Sequence, residues 1–221
     1  IAPPRTILRA LARIDPFPTI AGPPPPSLPP DPGVLSQPGV RSAAPSVLRV
    51  TATACGFGVE GSGWVARPKL VVTAAHVVAG GSNIRVAGLR AQPLLVDRAN
   101  DVAVLRVPAL RAPQLAIADP TPGTAVAILG YPENGPFDAR AGRIGSTASV
   151  IVNGHLRTVT AFSGVVRHGN SGGPAVDGTG AVRSTVFASR RGSSAGYGVP
   201  AATVRSALGR ARGPVDTGDC G

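Results

Sequence analysis

The sequence predicts an all-β protein of two antiparallel β-barrels of roughly six strands each, with an N-terminal Pro-rich leader and a short C-terminal helix. Three observations carry this. From Ser46 onward, short runs rich in Val and Ile recur at about ten-residue spacing, with Gly, Pro, Asn and Asp between them, as closely connected strands require. No long helical segments alternate with these runs, which excludes a Rossmann or α/β-hydrolase sheet. A break at "IADPTPG" divides the runs into two groups of similar size. The expected organisation is a leader over 1–42 and one domain over 43–221, with its first barrel over 43–118 and its second over 119–221.

In chain order, "RTILRALARI" has apolar residues at helical spacing and suits a short amphipathic helix. "IAGPPPPSLPPDPG" is expected to be polyproline-like or irregular and unable to pair in a sheet, so residues 1–42 read as a linker that could wrap over the domain. The first group of strands is "SVLRV", "GSGWVA", "KLVVT", "NIRVAG", "PLLVD" and "DVAVLRV". The second is "TAVAILG", "SVIVNG", "RTVTAF", "GGPAVD", "VRSTVFA" and "GYGVP". Their β-branched residues fit a pleated, half-buried surface better than a helix. The helix candidate is "PAATVRSALGRAR", where Val204, Ala207 and Leu208 fall on one face.

Composition narrows the function. Hydrophobic residues make up 43% of the 221 and charged residues 15%, and no window holds the ~18 uninterrupted apolar residues of a membrane helix. The net charge of +11 comes almost wholly from arginines spread along the chain, with aromatics at 4%. Nucleic-acid binding wants clustered cations and interleaved aromatics, so a solvated basic surface is the reading. The chain opens on Ile1 and contains no Met; a longer parent protein is expected, with any signal or anchor upstream. Cys55 and Cys220 are either free thiols or one long-range disulfide in an oxidising compartment. The polar tail "DTGDCG" gives a free thiol little reason to be there and favours the disulfide. Neither cysteine has zinc-site spacing, and no metal or cofactor is implied.

Chemistry concentrates in "VVRHGNSGGPAVD", residues 165–177. Glycines around Ser171 let a backbone bend tightly and approach a ligand closely. "GNSGG" fits the G-x-S-x-G elbow of α/β hydrolases, whose histidine follows the serine. Here His76, His155 and His168 all precede Ser171. The only aspartates before His76 are Asp15 and Asp31, both in the leader, so the order Asp-His-Ser fails too. The order His-Asp-Ser remains. His76 in "LVVTAAHVVAGG" ends an apolar run, and Asp101 in "NDVAVLRV" opens another, where a buried carboxylate needs a partner. Asp97 competes with Asp101, but "VDRAN" reads as a solvated turn. His168 is too local to Ser171 and His155 reads as a hairpin tip.

"GSGWV", "VVTAAHVVAG", "DVAVL", "LGYP", "GNSGGP" and "GYGVP", over about Ser46 to Gly221, resemble the chymotrypsin-fold serine proteases of the HtrA/Deg-like branch. Within it the chain is most similar to the membrane-anchored periplasmic acid-resistance proteases of actinobacteria, the MarP type. The resemblance implies a serine endopeptidase with His76, Asp101 and Ser171 as catalytic triad and the N–H groups of Gly169 and Ser171 as oxyanion hole. It implies a substrate pocket from Val165, Val166, Phe187, Ala188, Ser189, Tyr197, Gly198 and Val199. That pocket has no acidic residue, so a small or medium apolar P1 side chain is expected. Asn170 stands where zymogens place an Asp, so Ile1 is not an activation terminus. The Cys55–Cys220 pair resembles that group's disulfide. The resemblance further implies a monomer acting on protein or peptide substrates outside the cytoplasm, tethered through an upstream anchor, in acid or oxidative stress resistance. A silent protease-like binding domain and an esterase on the same fold are the alternatives. Three departures stand out: Arg183 and Ser184 where small or apolar residues are usual, "TAAH" for "TNAH", and a tract between "LGYP" and "GNSGGP" that is short for a second barrel.

Overall fold

In the computed structural model, residues 19–20, 28–54, 56–152, 155–190 and 192–219 are described. Seven strands build the first sheet: β2 (Val47–Ala54), β3 (Phe57–Arg67), β4 (Leu70–Thr73), β5 (Gly81–Val86), β6 (Leu89–Arg90), β7 (Gln92–Asp97) and β8 (Val102–Arg106). Their order is β6-β5-β2-β3-β4-β8-β7, and the N–H of Ala91 donates to Ile84 at 3.0 Å, drawing the two edges together. The second sheet holds β1 (Thr19–Ile20), β9 (Ala125–Gly130), β10 (Asp138–Val152), β11 (His155–Gly164), β12 (Pro174–Asp177), β13 (Val182–Arg190) and β14 (Ala195–Pro200). Because β13 also pairs with β14, the ring β9-β10-β11-β14-β13-β12 closes on itself. The all-β, two-barrel expectation holds.

Each barrel interior is filled mainly by branched aliphatic residues, with Phe162 added in the second. Val50, Val65, Val71, Val86 and Leu105 are inaccessible in the first, and Val126, Leu129, Phe162 and Val186 in the second. Between them runs the crossing chain 107–124, whose Leu115 N–H donates to Val65 at 2.8 Å while its Ala116 carbonyl accepts from Val182 at 2.8 Å. Trp64, wholly buried, donates its Nε1–H to Thr185 Oγ1 at 3.1 Å across the barrel interface. The anticipated helix is present as Ala201–Arg210, with Ala201, Val204, Ala207 and Leu208 buried, packed against strands of both barrels. After it, residues 215–217 return to the first barrel. Val215 N–H donates to Pro93 at 3.0 Å on β7, and the Thr217 carbonyl accepts from Gly80 at 2.9 Å beside β5. The Thr217 hydroxyl donates to Gly81 at 2.9 Å. This strap crosses the seam between β5 and β7.

The sequence reading and the structure differ in three places. The segment ahead of Ser46 is packed, not merely draped. A 3₁₀ turn over Pro32–Ser36 and helix α1 (Pro38–Ala43) bury Val34, Val40 and Ala43. Ile20, placed outside any sheet by the prolines around it, pairs through β1 in parallel with β13. The tract before "GNSGGP" is not short of strand: β10 runs fifteen residues with a bulge between Ile144 and Thr147. Its first half, "DARAGR", lacks the Val and Ile that mark strands, and only pairing with β9 defines it. Finally, Arg183 and Ser184 have partners. Arg183 donates from Nε to Asp177 at 2.7 Å, and Ser184 Oγ donates to Val199 at 3.1 Å, filling the space that Gly198 leaves.

Candidate active site

Strand β4 ends at Thr73 and leads into α2 (Ala75–Val78), which buries Ala75, Val77 and Val78. His76 is thereby held at a barrel end by its neighbours. Asp101, at the entry to β8, has φ +53°, a left-handed conformation that short polar residues tolerate better than most. The turn before it is shaped by Asp97, which accepts the N–H and the Nδ2–H of Asn100 at 3.0 Å each. Asp97 also accepts from Arg210 of α3 (Ala201–Arg210) at 2.5 Å, so this turn is pinned rather than solvated.

Asp101, His76 and Ser171 stand in one hydrogen-bonded line. The His76 backbone N–H donates to Asp101 Oδ1 at 2.9 Å and its ring Nδ1–H to Oδ2 at 2.7 Å. His76 Nε2 lies 2.8 Å from Ser171 Oγ. An ionised carboxylate only accepts, so the proton sits on Nδ1 and Nε2 is left to accept from the serine hydroxyl. Burial opposes the charge on Asp101, but His76, through its charge when protonated and its two N–H bonds, and Arg157 outweigh it and hold the carboxyl below the usual aspartate range. Such a site can deprotonate a serine hydroxyl while water is largely kept out.

The loop carrying Ser171 bends back on itself. Asn170, buried at 3% exposure, accepts the Arg167 N–H on Oδ1 at 2.9 Å. Gly169 has φ +86°, and a Cβ there would collide with the Tyr131 carbonyl. The His168 carbonyl accepts the N–H of Glu133 at 2.8 Å. Since the peptide is planar and trans, this turns the Gly169 N–H away from the 131–135 loop. That loop is fixed from two sides. Arg167 pairs with Glu133 at 3.4 Å and with Asp138, and Arg49 donates to Gly135 at 2.6 Å while lying 4.9 Å over the Tyr131 ring. Gly172, at φ +81°, brings its backbone so close to Ser62 and Thr73 that a Cβ has no room.

Ser62 is the residue that sequence reasoning missed. It is wholly buried; its hydroxyl donates to the Gly169 carbonyl at 2.6 Å and accepts the Tyr131 N–H at 2.9 Å. Its own N–H donates to the Ser171 carbonyl at 2.7 Å. One first-barrel serine thus grips the loop of the second barrel at two carbonyls. The signal was a hydroxyl between glycines in "GSGW", the same pattern that singled out Ser171.

The pocket candidates divide by burial. Phe187, Ala188, Tyr197 and Val199 are buried and Gly198 with them, Ser189 and Val166 are partly buried, and Val165 is 46% exposed. Val166 packs beside Phe162, next to Gly196, where a Cβ would strike both side chains. His168 is exposed, and the backbone of His155 pairs with Val152 at the end of the β10–β11 hairpin. Cys55 and Cys220 lie outside the described residues. Among the described residues no cluster of His, Cys, Asp or Glu could hold a metal ion.

Residues 61–183 match the trypsin-like peptidase domain. The chain is 36% identical to the serine protease Rv3671c of Mycobacterium tuberculosis, over 85% of this chain and 52% of that protein, so it spans about half the length of the curated relatives it matches. The crystal structure of the Rv3671c protease from M. tuberculosis in its active form superposes with a TM-score of 0.83 at 33% identity, covering 92% of this chain and 97% of that one. A serine endoprotease from Yersinia pestis shares the fold at a TM-score of 0.68 and 24% identity, over 83% of this chain and 67% of that one.

Proposed function

The chain belongs to the trypsin-like peptidase family of serine proteases, and from that premise we propose that it is an endopeptidase working through an acyl-enzyme, with Ser171 as nucleophile. The observation that carries this reading is the unbroken hydrogen-bond line from Asp101 through His76 to Ser171. His76 takes the Ser171 proton as Oγ attacks the scissile carbonyl, then passes it to the leaving amine. Asp101 keeps the imidazole in the right tautomer and offsets the charge it gains. The N–H groups of Gly169 and Ser171 receive the developing oxyanion, and losing one such donor typically costs ~3 kcal/mol. Water then repeats the sequence on the acyl-enzyme.

The finer parts of the reading rest on the motifs. With no acidic side chain among Val165, Val166, Phe187–Ser189 and Tyr197–Val199, a small or medium apolar P1 residue is preferred. We further propose that it works outside the cytoplasm, as a monomer on protein substrates under acid or oxidative stress; the support for this is the set of motifs it shares with membrane-anchored actinobacterial proteases. The deciding experiment is labelling with a fluorophosphonate probe, followed by hydrolysis of a peptide library. We expect stoichiometric labelling of Ser171 and loss of several orders of magnitude in kcat for Ser171→Ala with its melting temperature kept. Retention of more than a tenth of the activity by that variant would overturn the assignment.

A further inference from the structure

We infer that Arg157 is a fourth, positioning residue of this site: its guanidinium, carried by the second barrel, holds the Asp101 carboxylate of the first barrel in line with His76 and Ser171. The inference rests on the triad reading above.

Arg157 sits on β11, opposite Val150 of β10, and is only 8% exposed. A guanidinium stays charged at any relevant pH, and taking it out of water is costly unless an anion compensates. Its Nη1 lies 3.9 Å from Asp101 Oδ2, an ion-pair distance too long for a hydrogen bond. Its Nη2 donates to the Arg98 carbonyl at 3.1 Å, and its Cζ stands 5.3 Å over the Phe187 ring. Its Nε is buried with no hydrogen-bond partner among the described residues. Packing alone does not account for a buried cation with a donor unused; a long apolar residue would fill the space at lower cost. What a guanidinium adds is charge beside Oδ2, the oxygen that accepts the Nδ1–H of His76.

Two consequences follow. First, the pair crosses the barrel interface. His76 and Asp101 belong to one barrel and Ser171 and Arg157 to the other, so the ion pair registers the base against the nucleophile. Second, a permanent positive charge beside Asp101 Oδ2 competes with a protonated imidazole for that same carboxylate oxygen. The other charges nearby are already committed. Asp97 is held by Arg210 and Asn100, and the Arg98 guanidinium donates to the carbonyls of Thr217 and Asp219.

The test compares the intact protein with its Arg157→Gln, Arg157→Met and Arg157→Lys variants, each checked by thermal melting. The readout is the pH profile of kcat/KM for a peptide substrate. For Arg157→Gln and Arg157→Met we expect the acid limb to move to higher pH by about half to one unit, and kcat to fall roughly tenfold with little change in KM. Arg157→Lys should return the acid limb toward that of the intact protein, because it restores the charge. A purely structural arginine would lower the melting temperature of all three variants and leave the acid limb unmoved, and that result would overturn the inference. If Gln and Met variants do not fold, the Lys variant decides: an acid limb displaced as far from wild type as no charge would give counts against the role. Should the intact protein neither label nor hydrolyse, the triad reading fails first, and separably.

Discussion

At the scale of single residues, Ser62 makes the sharpest prediction. Ser62→Ala leaves the Gly169 carbonyl and the Tyr131 N–H buried without a hydroxyl between them. An unsatisfied buried group costs about 1–3 kcal/mol, so the melting temperature should fall. The turnover number should drop further than stability alone explains, by roughly tenfold to a hundredfold, because the Gly169–Asn170 peptide, which follows the Gly169 N–H and leads into Ser171, has lost an anchor. Steady-state kinetics well below the melting transition separate the two effects; unchanged kcat would refute the anchoring role. Ser171, His76 and Asp101 were legible in the sequence because order, spacing and flanking glycines constrain them chemically. Arg157 was not, and Ser62 only as a hydroxyl between glycines, since their significance lies in what they meet across the interface, and no local pattern reports a contact between residues far apart in the chain. Asp97 shows the converse: "VDRAN" looks solvated until Arg210, from a helix far along the chain, is placed beside it.

At the scale of elements, carboxylates tie turns to their neighbours. Burial alone would raise the carboxyl of Asp97, but the hydrogen bonds from Arg210 and Asn100 bring it below the ordinary value of 3.8. For Asp177, burial is likewise outweighed by Thr179, Arg183 and Ala181. A carboxyl depressed in the folded state contributes stability that is complete above its unfolded value and is lost as the pH falls through the folded one. Melting temperature should therefore hold steady down to about pH 4 and decline below it. Asp177→Asn should flatten that decline, and an unaltered slope would show that the β12–β13 turn contributes nothing to it. Element prediction worked where strands are rich in Val and Ile, as in β4 and β8. It missed the first half of β10, whose Ala, Gly and Arg residues join the barrel only because β9 lies alongside.

At the scale of the whole molecule, the segment before the barrels is part of the packing. Leu28 accepts from Ser163 at 2.9 Å and Pro29 from Arg143 at 2.8 Å, and Gly39 lies against the backbone of 178–180. Removing residues 1–42 strips away Val34 and Val40, each 4% exposed. At about 1.5–3 kcal/mol for a buried Val, the loss should lower the melting temperature markedly. A shortened chain that melts like the full one would show that this packing is incidental. The proposed Cys55–Cys220 bridge also belongs here, for the described residues around it converge: Ala54 pairs with Gly81, whose carbonyl accepts from Thr217. Chain-entropy models give so long a loop roughly 4 to 5 kcal/mol. Unreduced mass spectrometry should find the bond, and dithiothreitol should lower both melting temperature and activity. Two free thiols in the native protein would remove the idea.

The strap over the seam between β5 and β7 has a consequence in time. Residues 215–217 leave the ribosome after both barrels have been made, yet they close the barrel that was made first. That barrel holds His76 and Asp101, and until the strap arrives its two seam strands are joined at Ala91 and Ile84 without it. Synthesis therefore delivers Ser171 before the barrel that holds His76 and Asp101 is fully framed. A nascent chain stalled short of Val215 should be slow to react with an active-site probe, and the finished chain fast.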